Sequence, residues 1–292
     1  MQEQTPTSGL SVITRIFAPL LLVLLPLWAQ AVIRDVPNGP VFAVAVGADG
    51  TSYLGGDFTA LKPDTGNGAV IAQGTGDIDR KFPKVVGSVL ASVPDGTGGW
   101  YIGGNFTQVD GVTRNRLAHI LSTGELDPAW APSADSDVNA LAMSGSTIYA
   151  GGNFSTIGGT ARNRLAAIGA DGTLSSWSPN ANNNVNTLAV SGSTVYAGGR
   201  FTTIGGIARR CLAAIDASGT LSSWNPNANA WVNALAISGS TVYAGGDFTT
   251  IGGTARNRLA AIDVNGTLGS WNPNANNTVN TLAVSGSTVY AG

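Results

Sequence analysis

The chain is short of nearly every residue on which catalytic and metal sites are commonly built. Among its 292 residues Cys211 is the only cysteine and His119 the only histidine. One cysteine excludes an intrachain disulfide. One histidine excludes a Cys/His zinc site and any site built on a histidine pair. Glutamate occurs twice (Glu3, Glu125) and lysine three times (Lys62, Lys81, Lys84), so the residues that best fill exposed helix positions are nearly missing. Long amphipathic stretches free of glycine are missing too. Charged residues make up 11% of the chain and the net charge is −2, which is not the basic footprint of a nucleic-acid binder. The Asp-Gly pairs at 49–50, 95–96 and 171–172 lack the spaced carboxylates of a calcium loop and read as turns. No cofactor or metal is expected.

What the chain has is glycine, 40 residues of it, and a repeat. Nearly the same text starts at Val138, Val185, Val232 and Val279, each 47 residues after the last. A fixed period in this range marks solenoids, propellers and arrays. The fourth copy, Val185 to Trp231, parses into four short strands. Asn186–Val190 and Thr194–Ala197 are joined by a Ser-Gly-Ser turn. Leu212–Ile215 follows the pair Gly205-Gly206, and Leu221–Trp224 follows the turn Asp216–Gly219. Pro226 then closes the unit, because proline cannot donate to a central ladder. Four antiparallel strands per period is the arithmetic of a β-propeller blade. A parallel β-helix is the competing reading, but each period would have to hold two of its shorter coils.

The tyrosine of the second strand recurs as Tyr53, Tyr101, Tyr149, Tyr196, Tyr243 and Tyr290, at spacings of 47 or 48 residues. Phe82, Trp130, Trp177, Trp224 and Trp271 mark the unit ends. The fold class expected is all-β: a β-propeller of four-stranded blades, with five whole units and a truncated sixth. The units run 41–85, 86–137, 138–184, 185–231, 232–278 and 279–292. The first is the most divergent, with Lys62–Gly68 in place of the second glycine pair. The chain ends inside a motif, so a fragment of a longer protein is expected. Met1–Ala31 differs in kind. A 13-residue apolar run, Ile16–Trp28, follows Arg15 and precedes Ala29-Gln30-Ala31, the pattern of a cleavable secretory leader. It is too short to span a membrane comfortably. Val32–Val36 is expected as a lone strand that could complete the last blade.

Three recurring features resemble the delta-60 repeat family, a bacterial β-propeller repeat of unassigned function. They are Tyr-x-Gly-Gly-x-Phe-Thr, the run Arg116-Leu-Ala-His-Ile120 with its Arg-x-Arg lead, and Gly124-Glu-Leu-Asp127 before an aromatic-x-Pro. The resemblance covers Val41 to Gly292. It departs in the first unit, which lacks the Arg pair, and in later units, which read Leu-Ser-Ser-Trp. It implies a propeller in an exported protein and supplies no catalytic residue.

Two sets of polar residues are candidates for binding. The residue between Gly-Gly and Phe reads Asp57, Asn105, Asn153, Arg200 and Asp247. A ring position that varies in polarity could face a central channel and select a ligand; an exposed bulge under little constraint is the bland alternative. Trp231, peculiar to the fourth unit, could stack on a sugar, or serve as one more inter-blade tryptophan. The second set is the Arg pairs Arg114/Arg116, Arg162/Arg164, Arg209/Arg210 and Arg256/Arg258, which hold eight of the twelve arginines. They read as an anion-binding arc, or as structural arginines stacked on aromatics or paired with aspartates. Cys211 stands where neighbouring units have Arg164 and Arg258, and His119 where they have Ala167, Ala214 and Ala261. The function expected is an exported, non-enzymatic binding or display scaffold for an unidentified protein or glycan. Nucleic acid is not expected as a partner, and membrane contact only through the leader. A complete ring would be a monomer. The alternatives are a secreted polysaccharide hydrolase or lyase with part of its site beyond Gly292, and a purely structural repeat of a large surface protein.

Overall fold

The computed structural model describes residues 37–47, 50–58, 67–71, 78–79 and 82–292. The expected leader, the expected strand Val32–Val36 and most of the Lys62–Gly68 link lie outside them. Every regular element among the described residues is a β-strand, and no helix among them is long and apolar enough to cross a membrane.

The fourth unit shows the plan. Val185–Ser191 pairs antiparallel with Thr194–Gly199, which pairs antiparallel with Leu212–Asp216. Units two, three and five build the same three-stranded sheet. The first strands of successive units lie beside one another in a row. The sheet of one unit therefore faces the sheet of the next, and among the described residues four of the five cores are shared by two units, the fifth lying within unit one. One such core joins Tyr149, Leu165 and Trp177 of the third unit to Val185, Val195 and Phe201 of the fourth. No unit can bury its apolar faces alone, which is the physics of a repeat stack.

The central strand is covered on both sides, so it is built from small and apolar residues. In Thr194–Gly199 all but the first residue are buried. Its glycine pair is a packing device. A Cβ on Gly198 would meet Val232 Cγ1 of the next unit at 2.7 Å, and one on Gly199 would run into the carbonyl of Asn184, the last residue of the preceding unit. Only glycine lets both neighbours approach this closely.

Two expectations need correction. The fourth strand, Leu221–Trp224, is only a single bridge from Leu221 to Ile215. Asp216 turns the chain back by accepting the Ser218 and Thr220 amides through its carboxylate. After Ser222 donates to Ala214 O the backbone leaves the sheet. It must do so to carry the Trp224 indole to the next unit, where Nε1 donates to Asp263 O at 2.9 Å. Among the described residues only the first unit has a sheet of four strands. The other correction concerns Phe201–Ala208, which holds a small hairpin of its own, Thr203–Ile204 with Ile207–Ala208. Its turn is Gly205-Gly206, both left-handed (φ 56° and 80°), as a two-residue hairpin turn with positive φ at both central positions requires.

Candidate functional site

The position between Gly-Gly and Phe is held the same way in every whole unit. Its amide donates to the carbonyl of the residue just ahead of that unit's first strand. The bonds are Asp57 to Pro40 (2.9 Å), Asn105 to Ser88 (3.0 Å), Asn153 to Asp137 (2.8 Å), Arg200 to Asn184 (2.8 Å) and Asp247 to Trp231 (2.9 Å). All five therefore sit at the end of the sheets where the first strands begin. Because those strands form the inner row, the five residues and their carbonyl partners make a rim along one end of it. The backbone of the rim is uniform and the side chains are not.

Four of the rim side chains have partners of different kinds. Asn105 Oδ1 accepts from Ser88 N at 2.7 Å. Asn153 Oδ1 accepts from Asn139 Nδ2 at 3.1 Å. Asp247 Oδ1 accepts from Thr278 Oγ1 at 2.5 Å. Arg200 lies over the ring of Trp231, its guanidinium carbon 3.7 Å from the ring centroid. Trp231 is 45% exposed, whereas Trp130, Trp177 and Trp224 are at most 3% exposed. It is thus a surface residue and no inter-unit tryptophan, correcting the bland alternative for that position. The structure brings Arg200 and Trp231 of the fourth unit into contact, although they stand 31 residues apart in sequence.

The bulge expected at this position lies instead on the partner strand. Pairing slips between Val41 and Ala43, Val89 and Ala91, Val138 and Ala140, Val185 and Thr187, and Val232 and Ala234. The extra residues are Phe42, Leu90, Asn139, Asn186 and Asn233. A bulge re-aims its side chain, and the asparagines link one unit to the next. Asn186 Nδ2 donates to Asn233 Oδ1 at 3.1 Å, and Asn139 Nδ2 to Val185 O at 3.2 Å. Sequence reading missed this series, although the Val-Asn that opens each later copy carried it.

The Arg pairs are placed elsewhere. Arg162 donates to Ala161 O and, through Nη2, to Ser175 O at 2.5 Å. Arg209 reaches Ala208 O and Ser222 O, and Arg256 reaches Ala255 O and Gly269 O, in the same way. Arg114 makes a looser version, to Thr113, Asp127 and Pro128 carbonyls at 3.1–3.3 Å. The first arginine of each pair therefore ties the small hairpin to the outer segment, and its principal partners are carbonyls rather than aromatics or aspartates. The second position is defined by its backbone. Arg116, Arg164, Cys211 and Arg258 have φ of 63–66°. Each amide donates to the carbonyl of the preceding motif phenylalanine, and each carbonyl accepts from the second glycine of the pair. Arg210 does not belong to this series, since it occupies the slot of Asn163 and Asn257. Its Nη2 donates to Asn229 O at 2.8 Å. Cys211 is buried, and burial raises its thiol pKa against a smaller lowering by the Arg210 charge. That disfavours the thiolate a nucleophile needs.

A further cluster escaped sequence reading. His119 lies between two carboxylates, Nδ1 2.9 Å from Asp127 Oδ2 and Nε2 3.1 Å from Asp95 Oδ2. Its ring stacks on Tyr101 at 4.2 Å. Asp95 also accepts from the Thr97 and Gly99 amides in the long turn of unit two. Burial pushes the Asp95 and Asp127 carboxyls up, but hydrogen bonds outweigh it. Thr97, His119 and Gly99 donate to the first, and His119 with the Ala129 and Trp130 amides to the second, so both titrate below the usual range. The imidazole is too enclosed to meet a substrate. Among the described residues no group of three potential ligands could hold a metal ion.

Residues 94–129 match the family described as a domain of unknown function (DUF5122) beta-propeller. No curated protein matches the chain. Among solved structures the chain is similar to the computationally designed Ika8 protein, with 16% identity and a TM-score of 0.58 over 91% of this chain and 71% of that one. It is similar to the extracellular domain of the one component system BT4673 from B. thetaiotaomicron, with 16% identity and a TM-score of 0.55. There it covers 87% of this chain and 31% of the other, so it spans about a third of that protein's length. The WD40 domain of Neurospora crassa Pan2 matches with 15% identity and a TM-score of 0.50 over 84% and 68% of the two chains. The chain is all-β among its described residues and has a fold of the β-propeller type.

Proposed function

We propose that the chain is an exported, non-enzymatic propeller of the delta-60 repeat kind, and that it binds its ligand at the rim where the first strands begin. In this reading each 47- or 48-residue unit is one blade, five whole and a sixth in part, and the closed ring is a monomer. One observation carries the binding role: a solvent-exposed tryptophan held under a guanidinium, at a position where every other unit has Pro, Ser, Asp, Asn or Thr. Burying an indole in the core would have been the ordinary outcome for this sequence, which does so with Trp130, Trp177 and Trp224. The rigid frame and variable rim are the combination that binding surfaces use. Export rests on the leader pattern of residues 1–31, and the likeness to an extracellular domain agrees with it.

The test has two parts. Exported protein should begin at Val32, read by N-terminal sequencing of the secreted fraction. Purified protein should bind a surface-polysaccharide or surface-protein preparation, and the double variant R200A/W231A should lose that binding while keeping its melting temperature. Equal binding by the double variant, or turnover of a polysaccharide by the wild type, would overturn the reading.

A further inference from the structure

The third, fourth and fifth units are near-copies, so the places where the fourth departs from both neighbours stand out. Among them are Arg200, Ile207, Arg210, Cys211, Ala230 and Trp231. Cys211 is buried and Ile207 is 54% exposed at the tip of the small hairpin. Arg200, Arg210, Ala230 and Trp231 converge on one stretch of link. Arg200 covers Trp231, and Arg210 donates to the carbonyl of Asn229, two residues before Trp231. Ala230, between them, replaces the bulkier Asn183 and Asn277. Among the described residues neither Arg200 nor Arg210 has a carboxylate within ion-pair distance.

We propose that this patch binds a glycan carrying carboxylates, a uronate-type chain, with the sugar ring on Trp231 and its carboxylate on Arg200. The proposal rests on the rim being the binding face and names the chemistry of its ligand. The Arg200 guanidinium is held over the indole and exposed, with its N–H donors open to a ligand. A guanidinium fork matches a carboxylate with two parallel hydrogen bonds, and the contact with the indole restrains where it sits. The exposed part of the indole offers an apolar surface to the C–H face of a pyranose. Arg210 adds a second cation along the same link, where the next acidic sugar of a chain would lie. An acidic peptide could supply the carboxylate but no ring to cover the indole.

Binding is measured by calorimetry on the full chain, with polygalacturonate, a neutral β-glucan and poly-glutamate as probes. Polygalacturonate should bind, and R200A and W231A should each weaken it about tenfold or more, equivalent to about 1.4 kcal/mol. R200K keeps the charge without the fork and should recover only part of the loss. R210N, which restores the residue of the flanking units, should cost a few-fold. Affinity should fall as salt rises from about 0.05 to about 0.5 M, because both cations are exposed. The repeat permits a gain as well. N153R/N184W places the same pair in unit three and should raise the number of sites per chain. Equal binding of the neutral β-glucan, or poly-glutamate binding as tightly as polygalacturonate, would overturn the proposal. If the neutral glucan binds and W231A abolishes it, the rim stands as the binding face and only the acidic-glycan assignment falls. Polygalacturonate binding unchanged in R200A and W231A overturns both.

Discussion

Units two and four both depart from the common repeat, and they do so in opposite places. Unit two changes its interior. A histidine replaces the alanine of Ala167, Ala214 and Ala261, and two aspartates meet its ring nitrogens. Unit four changes its surface, with Arg200 on Trp231 and Arg210 on the link beside it. The interior change is self-contained, since each polar atom it introduces has a partner within the unit. The surface change ends in an exposed indole and two cations without an acidic partner among the described residues. A buried polar cluster that closes on itself is a way of holding a sheet together. A surface cluster left open is a way of meeting something else.

The strongest way to break this comparison is to exchange a tryptophan of each kind. Trp177 is 3% exposed and its Nε1 donates to Asp216 O of the next unit. Trp177→Ala should destabilise the chain by about 3–5 kcal/mol, through lost transfer energy and the cavity left behind. Trp231→Ala should stay within about 0.5 kcal/mol, as surface changes usually do. Urea unfolding of the two variants decides it. Similar losses in both would mean that Trp231 is structural.

Next in size is His119→Ala. It leaves the Asp95 carboxylate, whose side chain is 6% exposed, beside Asp127 without the ring that separated them. Removing one partner of a buried ionic cluster should cost about 3 kcal/mol, and H119A/D127N should recover part of it. A loss below about 0.5 kcal/mol in the same urea titration would show that the cluster holds nothing, and the contrast with unit four would collapse.

The acid limb of stability sharpens the same point. Asp95 and Asp127 titrate lower in the folded chain than their ordinary value. The unfolded chain therefore binds more protons in that window, and stability rises with pH across it. The contribution is complete above the unfolded carboxylate pKa of about 3.9 and disappears as pH falls through the folded values. Asp135, fixed by Ser155 and the Thr156 amide, is depressed to about 2 and adds to the same limb. Melting temperatures between about pH 2 and pH 6 should fall less steeply for D127N than for the wild type. Parallel curves would remove Asp127 from the account.

Much of this was legible in the sequence because it is local or periodic. The hairpin of the first two strands and the turn at the second glycine pair follow from short-range pattern, and each is in the structure. The fourth strand was misread because Leu221–Trp224 looks like a strand by composition. The need to deliver Trp224 to the next unit takes it out of the sheet. The His119 cluster was invisible because its members, 8 and 24 residues away, come from a turn and a link that occur in one unit only. A lone histidine in an alanine slot carries no sign of the carboxylates that will face it. The arginine clamps could have been found. Arg162 to Ser175, Arg209 to Ser222 and Arg256 to Gly269 share a separation of 13 residues, but the partner is a carbonyl and leaves no mark in residue identity.

The smallest expected effect separates the two substitutions that sit side by side in unit four. Arg210 and Cys211 are adjacent, yet one is exposed and the other 4% exposed. Cys211 keeps the left-handed backbone of Arg164 and Arg258 (φ 63°), so its slot is defined by conformation and accepts a different side chain without changing its amide and carbonyl bonds. Cys211→Arg restores the residue of both neighbours and should change stability by no more than about 0.5 kcal/mol. The native thiol should react with a thiol reagent only as fast as the chain unfolds, because burial raises its pKa and blocks access. Arg210→Asn should leave both quantities alone and lower only polyuronate affinity. Fast labelling of the native chain would place Cys211 on the surface patch, and the division between interior and surface changes in unit four would have to be redrawn.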